Sequence, residues 1–208
     1  MGHVVFIHGL GQSASSWQDT IAYLSEYRNI YSPNLSAMLQ HKEVTYQNLY
    51  DSFNTYCENF DEPLHLCGLS LGGVLALNYT IDYPEKVDSL VLIAVQYNMP
   101  KMLLKLQNIV FKFVPKSAFN NIGFEKKDFI QLTKTMTELN FSEKLRDIKC
   151  DTMVVCGRKD RVNKKAAKKL ADYISNSELQ MVDNAGHEVN EQASRELAKI
   201  LKAFYERK

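Results

Sequence analysis

Apolar residues along this chain gather into short, unbroken runs rather than alternating ones: VVFI at 4–7, LHLC at 64–67, VDSLVLIA at 87–94, TMVVC at 152–156 and ELQMV at 178–182, with a weaker run from Asn29 to Ser32. Continuous runs of this length predict parallel strands covered on both faces. Between them lie helix-length segments at 15–27, 45–59, 71–82, 163–175 and 190–206. Alternation of this kind predicts an α/β fold, with a mainly parallel sheet of about six strands and helices on both sides. The pattern breaks between Gln96 and Lys149, where no strand is evident and two or three helices are expected. Because that segment follows a strand, it lies at the carboxyl edge of the sheet, where open α/β sheets keep their sites. The expected organisation is one domain over 1–208 with a helical cap inserted at about 97–147.

Within the insertion, Pro100 suits a helix start and Pro115 a stop, and Lys101, Lys105, Lys112 and Lys116 share one helical face. The remaining positions are apolar. Leu106 and Phe113 are candidates to line a substrate pocket, against the plainer alternative of a helix packed on the domain with its lysines in solvent. Residues 101–149 carry ten Lys and Arg against five Asp and Glu. Such charge runs are usually a solvated face, with contact to lipid the sharper alternative.

The stretch LHLCGLSLGGVLALNY, Leu64 to Tyr79, reads as a strand, a glycine-flanked turn and a helix. Glycines at such a turn leave room for a chain so tight that the residue at its tip, Ser70, stands outward. A serine hydroxyl needs a base, and a histidine base needs a carboxylate to fix its tautomer. Two residues at the ends of the last two strands fit: Asp160 in VVCGRKDRVN and His187 in MVDNAGHEVN. Asp151 precedes its strand and belongs to the opposite edge, and Asp183, four residues before His187, is a rival for the acid. The segment FIHGLGQSASSW ends the first strand in His8-Gly9-Leu10-Gly11, so the amides of Leu10 and Leu71 are candidates for an oxyanion hole. His8 is expected to be structural, bonding within its own loop.

Composition changes this picture little. The 208 residues carry 25 Lys and Arg against 24 Asp and Glu, which gives no reason to expect a nucleic acid partner. No run approaches the ~20 apolar residues of a membrane span, and none at the start is long enough for a signal peptide, so a cytoplasmic protein without integral membrane association is expected. Cysteines 57, 67, 150 and 156 form no C-x-x-C pair and are expected as packed thiols. No metal-ligand spacing appears, and no cofactor is expected.

Taken together, HGLG, GLSLGG, GRKD and AGH, in that order with a helical insertion between the last two pairs of strands, resemble the α/β-hydrolase family over nearly the whole chain. Within it the likeness is to small bacterial carboxylesterases and monoacylglycerol-lipase-like serine hydrolases. The resemblance implies a Ser70, Asp160 and His187 triad. It also implies a departure, because the family usually begins with two further strands and this chain starts at what resembles the third. A serine at the nucleophile position argues against the family's epoxide hydrolases and haloalkane dehalogenases, and the serine is not followed by the tryptophan of proline iminopeptidases. A small-molecule ester of short or medium acyl chain is the expected substrate. Two alternatives stand beside it: hydrolysis of a carbon–carbon bond in a diketone-like acid, which would want a cap arginine such as Arg146, and a ligand-binding protein on the hydrolase scaffold that turns nothing over.

Overall fold

Each continuous apolar run becomes a strand whose successive side chains enter two different cores. In β1 (Val4–Ile7), Val5 and Ile7 pack on one side and Val4 and Phe6 on the other. The computed structural model describes residues 2–24, 26–27, 29–102, 104 and 123–207. Its other strands are β2 (Ile30–Tyr31), β3 (Leu64–Leu69), β4 (Val87–Ile93), β5 (Asp151–Gly157) and β6 (Ser177–Val182), joined in one six-stranded sheet ordered β2-β1-β3-β4-β5-β6. Every pairing is parallel. The α/β architecture and the strand number are those that the sequence predicts.

One face is covered by α2 (Leu35–Leu39), α3 (Tyr46–Cys57), α4 (Leu71–Asp82) and α6 (Lys164–Tyr173), and α5 (Lys126–Thr135), within the insertion, joins the same core beside α3. The other is covered by α1 (Gln18–Ala22), α7 (Val189–Gln192) and α8 (Ser194–Tyr205), with Trp17 and Leu24 beside them. Three of these helices start at a capping side chain. Asn34 accepts from the Ser36 amide at 3.2 Å and Thr45 from the Asn48 amide at 3.1 Å. At α5 the Asp128 carboxylate accepts the Glu125 amide at 2.7 Å in a capping box.

Three expectations need correction. The helix expected at 15–27 is a 3-10 turn, Ala14–Trp17, followed by the short α1, because Trp17 must turn inward to meet Phe6, with ring centroids 5.0 Å apart. The helix expected at 190–206 is divided at Ala193, whose φ of −145° and ψ of 41° are not helical. That break lets α7 direct Asn190 into the protein while α8 keeps its own apolar stripe on the sheet. Helix α2 was not expected at all, since five residues are too few to show a period. Inside the insertion, α5 and a 3-10 turn at Leu145–Asp147 are helical. Leu106, Phe113, Lys105, Lys112, Lys116 and Pro115 lie outside the described residues.

Candidate active site

Parallel strands all end at the same edge, so the loops after β1, β3, β4, β5 and β6 converge. The turn after β3 is tight. Ser70 has φ 52° and ψ −114°, a conformation that L-residues avoid, and its amide donates to the Ile93 carbonyl at 2.9 Å. Neighbouring positions must be glycine for close approach. A Cβ on Gly68 would clash with the Gly72 backbone, and one on Gly72 with the Ile7 carbonyl group. The strain is held by packing, since α4 begins at Leu71 and is buried through Leu77.

Asp160 and His187 reach this edge on loops laced to each other. The amides of Arg158 and Lys159 donate to the carbonyls of Val182 and Ala185 at 2.9 and 2.8 Å. Gly157 permits the crossing, because a Cβ there would clash with the carbonyls of Ala185 and Gly186. His187 Nδ1 lies 3.1 Å from Asp160 Oδ2, with the imidazole half-exposed and the carboxylate buried. Burial alone would push that carboxyl up. Hydrogen bonds from His187, the Asn163 carboxamide and the Asn163 backbone outweigh it and hold the group at about 2. Asp183, the rival, is exposed and paired with Arg158.

Ser70, Leu71, Asp160 and His187 line one cavity of about 490 Å3, and Leu10 faces it from the loop after β1. No hydrogen bond joins Ser70 to His187 among the described residues. His8 does more than bond within its own loop, contrary to expectation. Its Nδ1 donates to the Gly9 carbonyl at 2.9 Å, while Nε2 accepts the Leu35 amide at 3.0 Å and so ties the loop to α2. Burial pushes its pKa down, and the bond to Gly9 partly offsets that.

Several residues of the site escaped the sequence reading. Phe129 and Thr133 of α5, Met136 just past its end, and Met99 and Leu104 before it form a mainly apolar wall. Gln96 and Asn163 add polar groups beside Asp160. The wall could have been found from the helical spacing of 129, 133 and 136. Asn163 carried a weaker signal, the three-residue step after Asp160 that favours an Asx-type turn.

A model of the alpha/beta hydrolase family matches residues 4–200. The chain belongs to that family. It is 23% identical over 254 residues to monoacylglycerol lipase ABHD6 of Mus musculus, a match covering 97% of this chain and 74% of the relative. It is 28% identical over 143 residues to a pimeloyl-[acyl-carrier protein] methyl ester esterase of Wigglesworthia glossinidia brevipalpis, covering 67% of this chain and 52% of that protein. Among solved structures, MGS-M2, an alpha/beta hydrolase enzyme from a Medee basin deep-sea metagenome library, superposes with a TM-score of 0.82 at 17% identity, covering 100% of this chain and 90% of the other. The relatives support a hydrolase. Among the described residues, no helix is long and apolar enough to cross a membrane.

Proposed function

We propose that this hydrolase cleaves carboxylic esters of short or medium acyl chain through an acyl-enzyme on Ser70. The observation that carries the reading is the 3.1 Å contact of His187 with a buried carboxylate, in the same cavity as a serine held at positive φ. With its proton on Nδ1 and shared with Asp160, His187 has a bare Nε2 to take the Ser70 proton as Oγ attacks the ester carbonyl. The tetrahedral oxyanion is received by the amides of Leu10 and Leu71, the latter at the N-terminus of α4. On collapse, the C–O bond to the alcohol breaks and the alkoxide takes the proton from His187. Water then repeats the sequence, releasing the acid and restoring Ser70.

Met99, Pro100, Leu104 and α5, all from the described part of the insertion, cover this centre, and α5 supplies the acyl wall. The relatives named as a lipase and a methyl ester esterase fit that chemistry. Carbon–carbon hydrolysis of a diketone-like acid fits less well, because no Lys or Arg is among the described residues lining the cavity. Arg146 instead lies 6.0 Å from the Tyr173 ring centroid. The test is turnover of p-nitrophenyl esters of graded length, with labelling by a fluorophosphonate. Saturable turnover and a single adduct on the Ser70 peptide, both lost in Ser70→Ala, are expected. Ligand binding without turnover or labelling would favour the non-hydrolytic reading and end this one.

A further inference from the structure

Asp160 is the most heavily solicited side chain at the sheet edge. Oδ1 accepts the backbone amides of Val162 and Asn163, both at 3.1 Å. Oδ2 accepts from the Asn163 carboxamide at 2.7 Å and faces His187 Nδ1 at 3.1 Å. The carboxylate can only accept, so the Asn163 group turned toward it must be the NH2. That fixes the other end of the amide. Asn163 Oδ1 must then point away and accept, and Gln96 Nε2 donates to it at 2.7 Å.

This chain of side chains has a direction. Gln96 lies on the cavity wall just past β4, two residues beyond Ala94, whose φ of 53° turns the backbone at the cavity. Asn163 is buried, at 5% exposure, and so has no water to replace a lost partner. Its Nδ2 also lies 3.1 Å from His187 Nδ1, so both nitrogens converge on the same carboxylate oxygen. If Nδ1 lacked a proton, it would accept from Asn163 instead, and Nε2 would carry the proton. The setting of the Asn163 amide therefore bears directly on the arrangement of the pair.

We propose that Gln96 and Asn163 are positioning residues in series: Gln96 holds the Asn163 carboxamide, and that carboxamide aims Asp160 Oδ2 at the Nδ1 proton of His187. The assignment rests on the reading of Asp160 and His187 as a catalytic pair. Neither residue touches the reacting atoms. Their contribution passes through Asp160, so it falls on kcat and on the hydrogen bond between Asp160 and His187.

The experiment compares wild type, Gln96→Met, Asn163→Ala and the double variant by ester kinetics and by NMR of the free protein. In the free protein no substrate contact at Gln96 can contribute. The low-field Nδ1 proton of His187, with 15N shifts reporting the tautomer, should be sharp in wild type and lost or moved in both single variants. Loss of a hydrogen bond to a charged group corresponds to roughly a 10- to 100-fold fall in kcat for Asn163→Ala, with KM nearly unchanged. Gln96→Met should fall less, and the double variant should match Asn163→Ala alone, as residues acting in series require. An unchanged Nδ1 resonance in Asn163→Ala would overturn the proposal, and strict additivity of the two changes would break the link through Gln96. Should Asn163→Ala fail to fold, the near-isosteric Gln96→Met carries the resonance test alone. Repeating the NMR in a Ser70→Ala background decides the matter even if no ester is turned over, so failure of the reaction and failure of the relay are told apart.

Discussion

Gln12 and Asn190, 178 residues apart in the chain, exchange their carboxamides: Gln12 Nε2 donates to Asn190 Oδ1 at 3.2 Å, and Asn190 Nδ2 returns a bond to Gln12 Oε1 at 3.3 Å. Gln12 Oε1 also accepts the Gly9 amide at 3.2 Å, and Asn190 donates to the Ser16 carbonyl at 3.0 Å. The loop bearing Leu10 is thereby fastened to the helix that follows His187.

The buried pair should act as one unit. Gln12→Ala and Asn190→Ala each leave buried polar groups unpaired, at a cost of about 1–3 kcal/mol. The double variant should lose less than their sum. Urea unfolding checks the stabilities. Labelling of Ser70 should slow in Gln12→Ala, because the Leu10 amide loses its fixed position; unaltered labelling would mean that the loop keeps its shape without the pair.

Strain at Ser70 predicts an unusual ranking of variants. Alanine ordinarily stabilises a protein relative to glycine by reducing the freedom of the unfolded chain. At φ 52° and ψ −114° that order should reverse, since a Cβ there costs about 1–3 kcal/mol. Ser70→Gly is expected to melt above Ser70→Ala. The opposite order would mean that the turn relaxes when the hydroxyl is removed.

On the proposed acyl wall, Phe129→Ala removes a ring that packs near Gly11 and lines the cavity. The ratio of kcat/KM between medium-chain and acetyl esters should change by roughly 10- to 200-fold, the range of one to a few methylene contacts. Melting temperatures must be compared alongside, because a buried Phe→Ala also costs about 3–5 kcal/mol. An equal loss for every chain length would make Phe129 a packing residue only.

His8 links stability to pH. Its Nε2 accepts the Leu35 amide, so protonation breaks that bond, and burial keeps its pKa below the ordinary 6.5. The unfolded chain then binds a proton that the folded one refuses. Its contribution is complete above about pH 6.5 and is lost as pH falls toward the lowered folded value. The stability advantage of wild type over His8→Gln should shrink between pH 7 and 5 in urea titrations; a constant gap would show that His8 takes up its proton in the fold as readily as in the unfolded chain.

Much of this arrangement was legible in the chain. Strands were readable because burial on both faces writes a continuous apolar run, and Ser70, Asp160 and His187 because each stands just past such a run. Ala193 and α2 were not, since a break set by the inward turn of Asn190 and a five-residue helix capped by Asn34 are tertiary choices without a period. Gln96 and Asn163 stayed hidden for a similar reason: their meaning lies in a hydrogen bond across 67 residues of sequence.

Asp160 and Asp183 provide the sharpest separation. Asp160 meets His187 from a buried position, whereas Asp183 pairs with Arg158 on the surface, where such pairs are worth about 0–1 kcal/mol. In Asp160→Asn an amide NH2 facing Nδ1 would favour the wrong tautomer, and kcat should fall by about 10^4-fold. Asp183→Asn should change kcat less than about twofold, as a solvent-exposed pair implies. Stability gives an independent reading of the same residue. The carboxyl moves from 3.8 to about 2 on folding, so the contribution of its charge is present above pH 3.8 and disappears as pH falls through about 2. The difference in unfolding free energy between wild type and Asp160→Asn should therefore be flat at neutral pH and narrow between pH 4 and 2, while that for Asp183→Asn stays small throughout. A crippled Asp183→Asn beside an active Asp160→Asn would transfer the acid role to Asp183, and a gap that did not narrow in acid would mean that Asp160 owes its place to shape rather than charge.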